Sequence, residues 1–145
     1  MAELNTQNKN KIIIKNLQNK IPLHLNRIKN IIQKITRLEG IKYSVSIIFV
    51  DDRFIKKLNK QFLKENHPTD VLSFPVKSCN LLLGEIIISV ETAEKNSRIF
   101  KTTFETELYL YIIHGILHLL GYDDLTNKKR KIMERKQANL LKLIC

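Results

Sequence analysis

The sequence predicts a single-domain α+β fold: a mixed sheet of about four strands, helices packed around it, and one helix running through the core. Three observations carry this. Short β-branched and aromatic runs alternate with segments whose apolar residues recur at helical spacing. At 145 residues the chain is one domain of ordinary size, residues 1–145, long enough for a proper core without staples. No repeat or low-complexity linker interrupts it, so no second domain is expected.

Residues 11–17, KIIIKNL, read as a first strand. Pro22 can open a helix, in which Leu25, Ile28, Ile31, Ile32, Ile35 and Leu38 form an apolar stripe that Gly40 stops. Residues 43–50, YSVSIIFV, form a second strand. Asp51 or Asp52 caps the next helix, with Phe54, Ile55, Leu58 and Phe62 inward and Lys56, Lys57, Lys60 and Lys64 toward water. The segment 65–70, ENHPTD, is a turn, with His67 biased to an extended conformation by Pro68. Val71–Val76 and Gly84–Ser89 make a hairpin around a loop holding Cys79 and Asn80. A short helix follows from Glu91 to Ile99, capped by Ser89. Thr102 or Thr103 starts a long, nearly all-apolar core helix, and Thr126 starts a last helix through Leu143 that buries Ile132, Met133, Leu140 and Leu141.

The chemistry lies in the run HGILHLLGYDD, His114 to Asp124. Residues four apart stack on one helix face, so His114 and His118 can bind one ion. Gly121 permits the left-handed turn that ends a helix, sending Asp123 and Asp124 back past the imidazoles. Two imidazoles, one carboxylate and an open fourth position make up a catalytic zinc site. Either aspartate can be the third ligand. A zinc peptidase of the HExxH type carries a glutamate base after its first histidine; here that residue is Gly115, which argues against peptide hydrolysis.

His114-Gly115-x-Leu117-His118-Leu119-x-Gly121-Tyr122-Asp123 resembles the core motif of the YbeY family, bacterial endoribonucleases of ribosomal RNA maturation. Leu58-Asn59 followed by Pro68-Thr69-Asp70-Val71-Leu72-Ser73-Phe74-Pro75 agrees in order and spacing. So do Leu83-Gly84-Glu85-Ile86-x-Ile88-Ser89, Val50-Asp51-Asp52 and Glu134, and the similarity spans about residues 43–140. The resemblance implies a metal-dependent, single-strand-specific endoribonuclease with ribosomal RNA and the ribosome or a ribosomal subunit as partners. It implies one zinc ion, other divalent metals being possible, on His114, His118 and Asp124.

Three departures stand out. The family's third ligand is a histidine, here Asp124, which lowers the charge of the site by one and predicts slower chemistry near neutral pH. A family arginine four residues after Asn59 is Leu63 here; the adjacent Lys64 points about 100° away and lacks the bidentate fork. Glu85 stands where the family has Asp. The general base is unassigned; Asp70, Lys64 and Ser73 are the candidate catalytic residues, while His24 and His67 read as surface and loop residues.

Composition agrees. The net charge of +11 favours a polyanionic partner, although a lysine- and asparagine-rich composition also arises from biased base content. Two cysteines without a pairing pattern, no apolar run of membrane-spanning length and a polar N-terminus predict a cytoplasmic protein without membrane contact. A rival reading is an RNA-binding ribosome-assembly factor with a structural metal. A metallopeptidase is weaker still.

Overall fold

The computed structural model describes residues 11–63, 71–75 and 82–145. Four strands, β1 (Ile12–Asn16), β2 (Ser44–Val50), β3 (Val71–Pro75) and β4 (Leu82–Ser89), form one sheet in the order β1-β2-β4-β3. β1, β2 and β4 are parallel; β3 runs antiparallel on the outer edge of β4. The described helices are α1 (Leu25–Leu38), α2 (Asp52–Leu63), α3 (Val90–Ile99), α4 (Phe104–Leu119) and α5 (Asn127–Ile144). The predicted mixed sheet, hairpin and helix order are all present. No described helix is long and apolar enough to cross a membrane.

Period-2 alternation divides the core between the two faces of the sheet. Val45, Ile47, Phe49, Ile86 and Ile88 join α1, α4 and α5 in the larger cluster. Val50, Leu72 and Ile87 pack with Ile55 of α2 on the opposite face. β2 is buried along nearly its whole length, as a central parallel strand requires.

Side-chain caps set the helix starts. Thr103 Oγ1 accepts from the Thr106 amide at 3.0 Å, Thr126 Oγ1 from Lys129 at 3.1 Å, and Asp51 Oδ1 from Phe54 at 2.8 Å. α1 begins at Leu25 rather than Pro22, and its N-cap His24 makes no side-chain cap bond. The inward faces are narrower than the sequence pattern suggested. Phe54 is 41% and Ile132 48% exposed, each one residue, or about 100°, away from the buried Ile55 and Met133. Leu25 and Leu38 also emerge at the two ends of α1.

Asp52 ties α2 to α3. Its carboxylate accepts from Ser89 Oγ, Thr92 Oγ1 at 2.6 Å and Lys95 Nζ at 2.7 Å, while Glu91 Oε1 accepts from the Asp52 amide at 2.9 Å. Burial pushes the Asp52 carboxyl up, but the bonds from Lys95, Ser89 and Thr92 and the Lys95 charge outweigh it, so the group sits below the usual aspartate range. Its stabilisation is therefore complete above about pH 4 and is lost as pH falls through the lowered value. Asp52→Ala is expected to cost about 2 kcal/mol in denaturant unfolding at neutral pH. The gap from wild type should close in acid; an unchanged gap at low pH would contradict this account.

Candidate metal centre

α4 crosses the core with most of its circumference buried, and its 114–118 edge emerges beside α5, where both histidines are part-exposed. Gly115, between them, faces β4. A Cβ there would lie 2.6 Å from Ile86 Cγ2, so the helix rests directly on the sheet. Gly84 makes the reciprocal approach, its missing Cβ falling 2.5 Å from Leu119 Cδ2 and 2.7 Å from the Phe74 carbonyl. Ser73 Oγ donates to the Gly115 carbonyl at 3.4 Å, linking the edge strand to the same turn of α4.

The exit of α4 brings in the carboxylate. The Gly121 amide bonds the His118 carbonyl at 3.1 Å and the Tyr122 amide bonds Leu117 at 3.0 Å. This is a Schellman closure, and it requires the positive φ of +102° at Gly121. The chain then reverses so that one nitrogen of His114, one of His118 and one oxygen of Asp124 all lie within 4.8 Å of one another. Asp123 is engaged elsewhere: Oδ1 accepts from the Leu125 amide at 3.0 Å and Oδ2 pairs with Lys129 at 3.5 Å.

The tautomers follow from the neighbours. His114 Nδ1 lies 2.7 Å from Gln137 Oε1 of α5. A carboxamide oxygen only accepts, so the proton sits on Nδ1 and Nε2 is left with a free lone pair. His118 Nε2 lies 3.0 Å from that atom, with the rings edge to face. Burial and the neighbouring His114 hold His118 below the ordinary histidine range, against an opposing pull from Asp124 and Asp123. A neutral His118 is the form that ligates metal.

No sequence motif marks Gln137 as a partner of the histidines. The available signal was a polar residue on the inward face of α5, four after the buried Met133 and three before the buried Leu140. Asp52 and Ser89, inside two of the matching blocks, brace two helix starts away from the histidines. Asp70, Lys64, His67 and Cys79 lie outside the described residues, as does the side chain of Leu63.

A family model described as Endoribonuclease YbeY matches residues 13–144. The endoribonuclease YbeY of Clostridium botulinum strain 657 is 35% identical over 90% of this chain and 96% of its own length. That of Pelotomaculum thermopropionicum is 34% identical over 90% and 94%. The solution structure of TM1509 from Thermotoga maritima superposes with a TM-score of 0.68 at 35% identity, covering 92% of this chain and 88% of that one.

Proposed function

The chain belongs to the YbeY family of endoribonucleases and hydrolyses RNA phosphodiester bonds, and we propose that a metal ion held by His114, His118 and Asp124 serves that chemistry. In this reading the substrate is single-stranded ribosomal RNA. It is trimmed in the cytoplasm during ribosome maturation and quality control, with the ribosome or a ribosomal subunit as partner.

The convergence of the three donors supports the metal most directly. In a tetrahedral zinc site with bonds of about 2.0–2.1 Å, neighbouring ligand atoms stand roughly 3.3 Å apart. The two imidazole nitrogens are at 3.0 Å and the whole set within 4.8 Å, so small side-chain movements complete the site. Two nitrogens and one oxygen suit zinc, and other divalent ions are chemically compatible. Among the described residues only three donors converge, which favours an open site over a closed structural one.

A divalent ion bound there supplies Lewis-acid charge for a phosphate oxygen in the transition state. Gln137 holds the His114 ring in the tautomer that presents Nε2. Asp124, unlike a third imidazole, lowers the net charge of the loaded site by one and so weakens the field offered to the phosphate. Ser73 keeps β3 against α4, which gives an extended RNA strand a fixed edge to lie along. Asp70 and Lys64, on the segment leading into β3, are our candidates for proton acceptor and phosphate contact.

The third ligand is tested by calorimetric zinc titration. Asp124→Ala is expected to weaken binding at least about 100-fold, with Asp123→Ala within about threefold of wild type. The reverse order would make Asp123 the ligand, and wild-type binding by both variants would remove the carboxylate from the site.

A further inference from the structure

α5 concentrates the positive charge of the chain. Its 18 residues hold Lys128, Lys129, Arg130, Lys131, Arg135, Lys136 and Lys142 against one carboxylate, Glu134. Among the described residues, only Lys129 and Lys136 of these seven form ion pairs, with Asp123 at 3.5 Å and Glu39 at 3.0 Å. The other five are exposed and have no ion-pair partner among the described residues. Lys128, Lys131, Arg135 and Lys142 fall within about 60° of one another around the helix axis and extend over about 21 Å of its length. Such an array of like charges gains nothing from the fold itself; it is a field in search of a polyanion.

Two further features give that field a direction. Tyr122, Ile132, Arg135, Lys136 and Asn139 line an open groove of about 470 Å³ beside the array. Tyr122 immediately precedes Asp123 and Asp124, so the groove begins at the turn that carries the proposed ligand. On the other flank, Arg130 lies seven residues, two full turns, before Gln137 and so shares the face that touches His114. Cations, an aromatic ring and an apolar ledge together match a single strand, whose backbone needs charge and whose bases need a surface to stack on.

We infer that the exposed side of α5 is a track for the single-stranded RNA that flanks the cleavage site. Lys128, Lys131, Arg135 and Lys142 hold backbone phosphates, and the Tyr122–Ile132 groove takes a base. The inference rests on the RNA-nuclease reading and adds to it the location and extent of the substrate surface. At a stacked rise of about 3.4 Å per nucleotide, the track spans roughly six nucleotides. A long RNA should therefore gain binding that a short one cannot.

The test compares wild type with K128Q/K131Q/R135Q/K142Q, and with a charge-matched control, K15Q/K29Q/K34Q/K42Q, on β1, α1 and the turn after α1. All eight lysines and arginines are exposed and glutamine retains helix propensity; far-ultraviolet circular dichroism checks that each variant is folded. Binding of unstructured fluorescent RNAs of about 25 and about 3 nucleotides, the second too short to span the track, is measured across salt concentrations. The α5 variant is expected to bind the long RNA about 10- to 100-fold more weakly, with the salt dependence of log K shallower by about 3. Its long-over-short preference should collapse, while the control keeps most of that preference. Equal losses in both variants would overturn the track in favour of the protein's overall field. Wild-type affinity in the α5 variant would also overturn it, leaving an acidic protein surface as the occupant of α5. If wild-type protein cleaves neither RNA, it is the nuclease reading that fails, whatever the binding data show.

Discussion

His118→Ala and His114→Ala are each expected to abolish RNA cleavage, with a rate loss of about 10³-fold or more, while the protein stays folded. Each imidazole supplies one of the three donors that converge among the described residues, so its loss leaves two of them, too few to hold an ion firmly. A Lewis acid contributes several kcal/mol of transition-state stabilisation, and each 1.36 kcal/mol is tenfold in rate. The fold bears little of this. Both rings sit at the emerging edge of α4, not in its sheet-facing core; removing either forfeits the imidazole–imidazole contact at 3.0 Å, and removing His114 also forfeits its 2.7 Å bond to Gln137. Stability should fall by about 1 kcal/mol for His118→Ala and about 2 kcal/mol for His114→Ala. Parallel rate and unfolding measurements separate the two effects, and a variant that lost activity only by unfolding would count against a catalytic role.

Gly115→Glu is expected to have the opposite profile, a collapse of stability. The substitution writes the HExxH pattern of zinc peptidases into the chain. Yet the Cβ would sit 2.6 Å from Ile86 Cγ2 and 3.1 Å from its Cδ1, inside the fully buried sheet–helix contact. Overpacking of that kind costs about 1–3 kcal/mol, and a carboxylate forced against the fully buried Ile86 adds an uncompensated desolvation penalty. The combined loss, about 4 kcal/mol or more, is a large share of a small domain's stability. Gly115→Ala should show the packing part alone. A stable Gly115→Glu protein that hydrolysed casein would revive the peptidase reading, which here fails on space as well as on the missing base.

Much of this was legible in the chain. Ser89, Thr103 and Thr126 cap the helices they were expected to cap, because a hydroxyl before an apolar-periodic run has little else to do. The histidine pair and the glycine exit were legible for the same reason: helical spacing and a positive φ are local properties. What the sequence hid is what depends on a second element. Nothing local to Gly115 says that Ile86 lies beneath it, and nothing near Gln137 says that His114 is its partner. The matching block around Asp52 and Ser89 shows the converse. Its conspicuous carboxylate serves a three-donor brace between α2 and α3, a structural duty indistinguishable in sequence from a catalytic one. Helical periodicity puts Phe54 and Ile132 on the inward side, but it gives a direction and not the width of the contact, and both are exposed.

The most direct measurement of the central claim is cleavage of an unstructured RNA as zinc is returned to metal-stripped protein, with His114→Ala purified and treated identically. Wild-type activity should rise from near zero and level off at about one zinc per chain, and the variant should stay silent throughout. Equal cleavage by both proteins, or full wild-type cleavage before any zinc is added, would contradict a metal-assisted reaction at His114, His118 and Asp124.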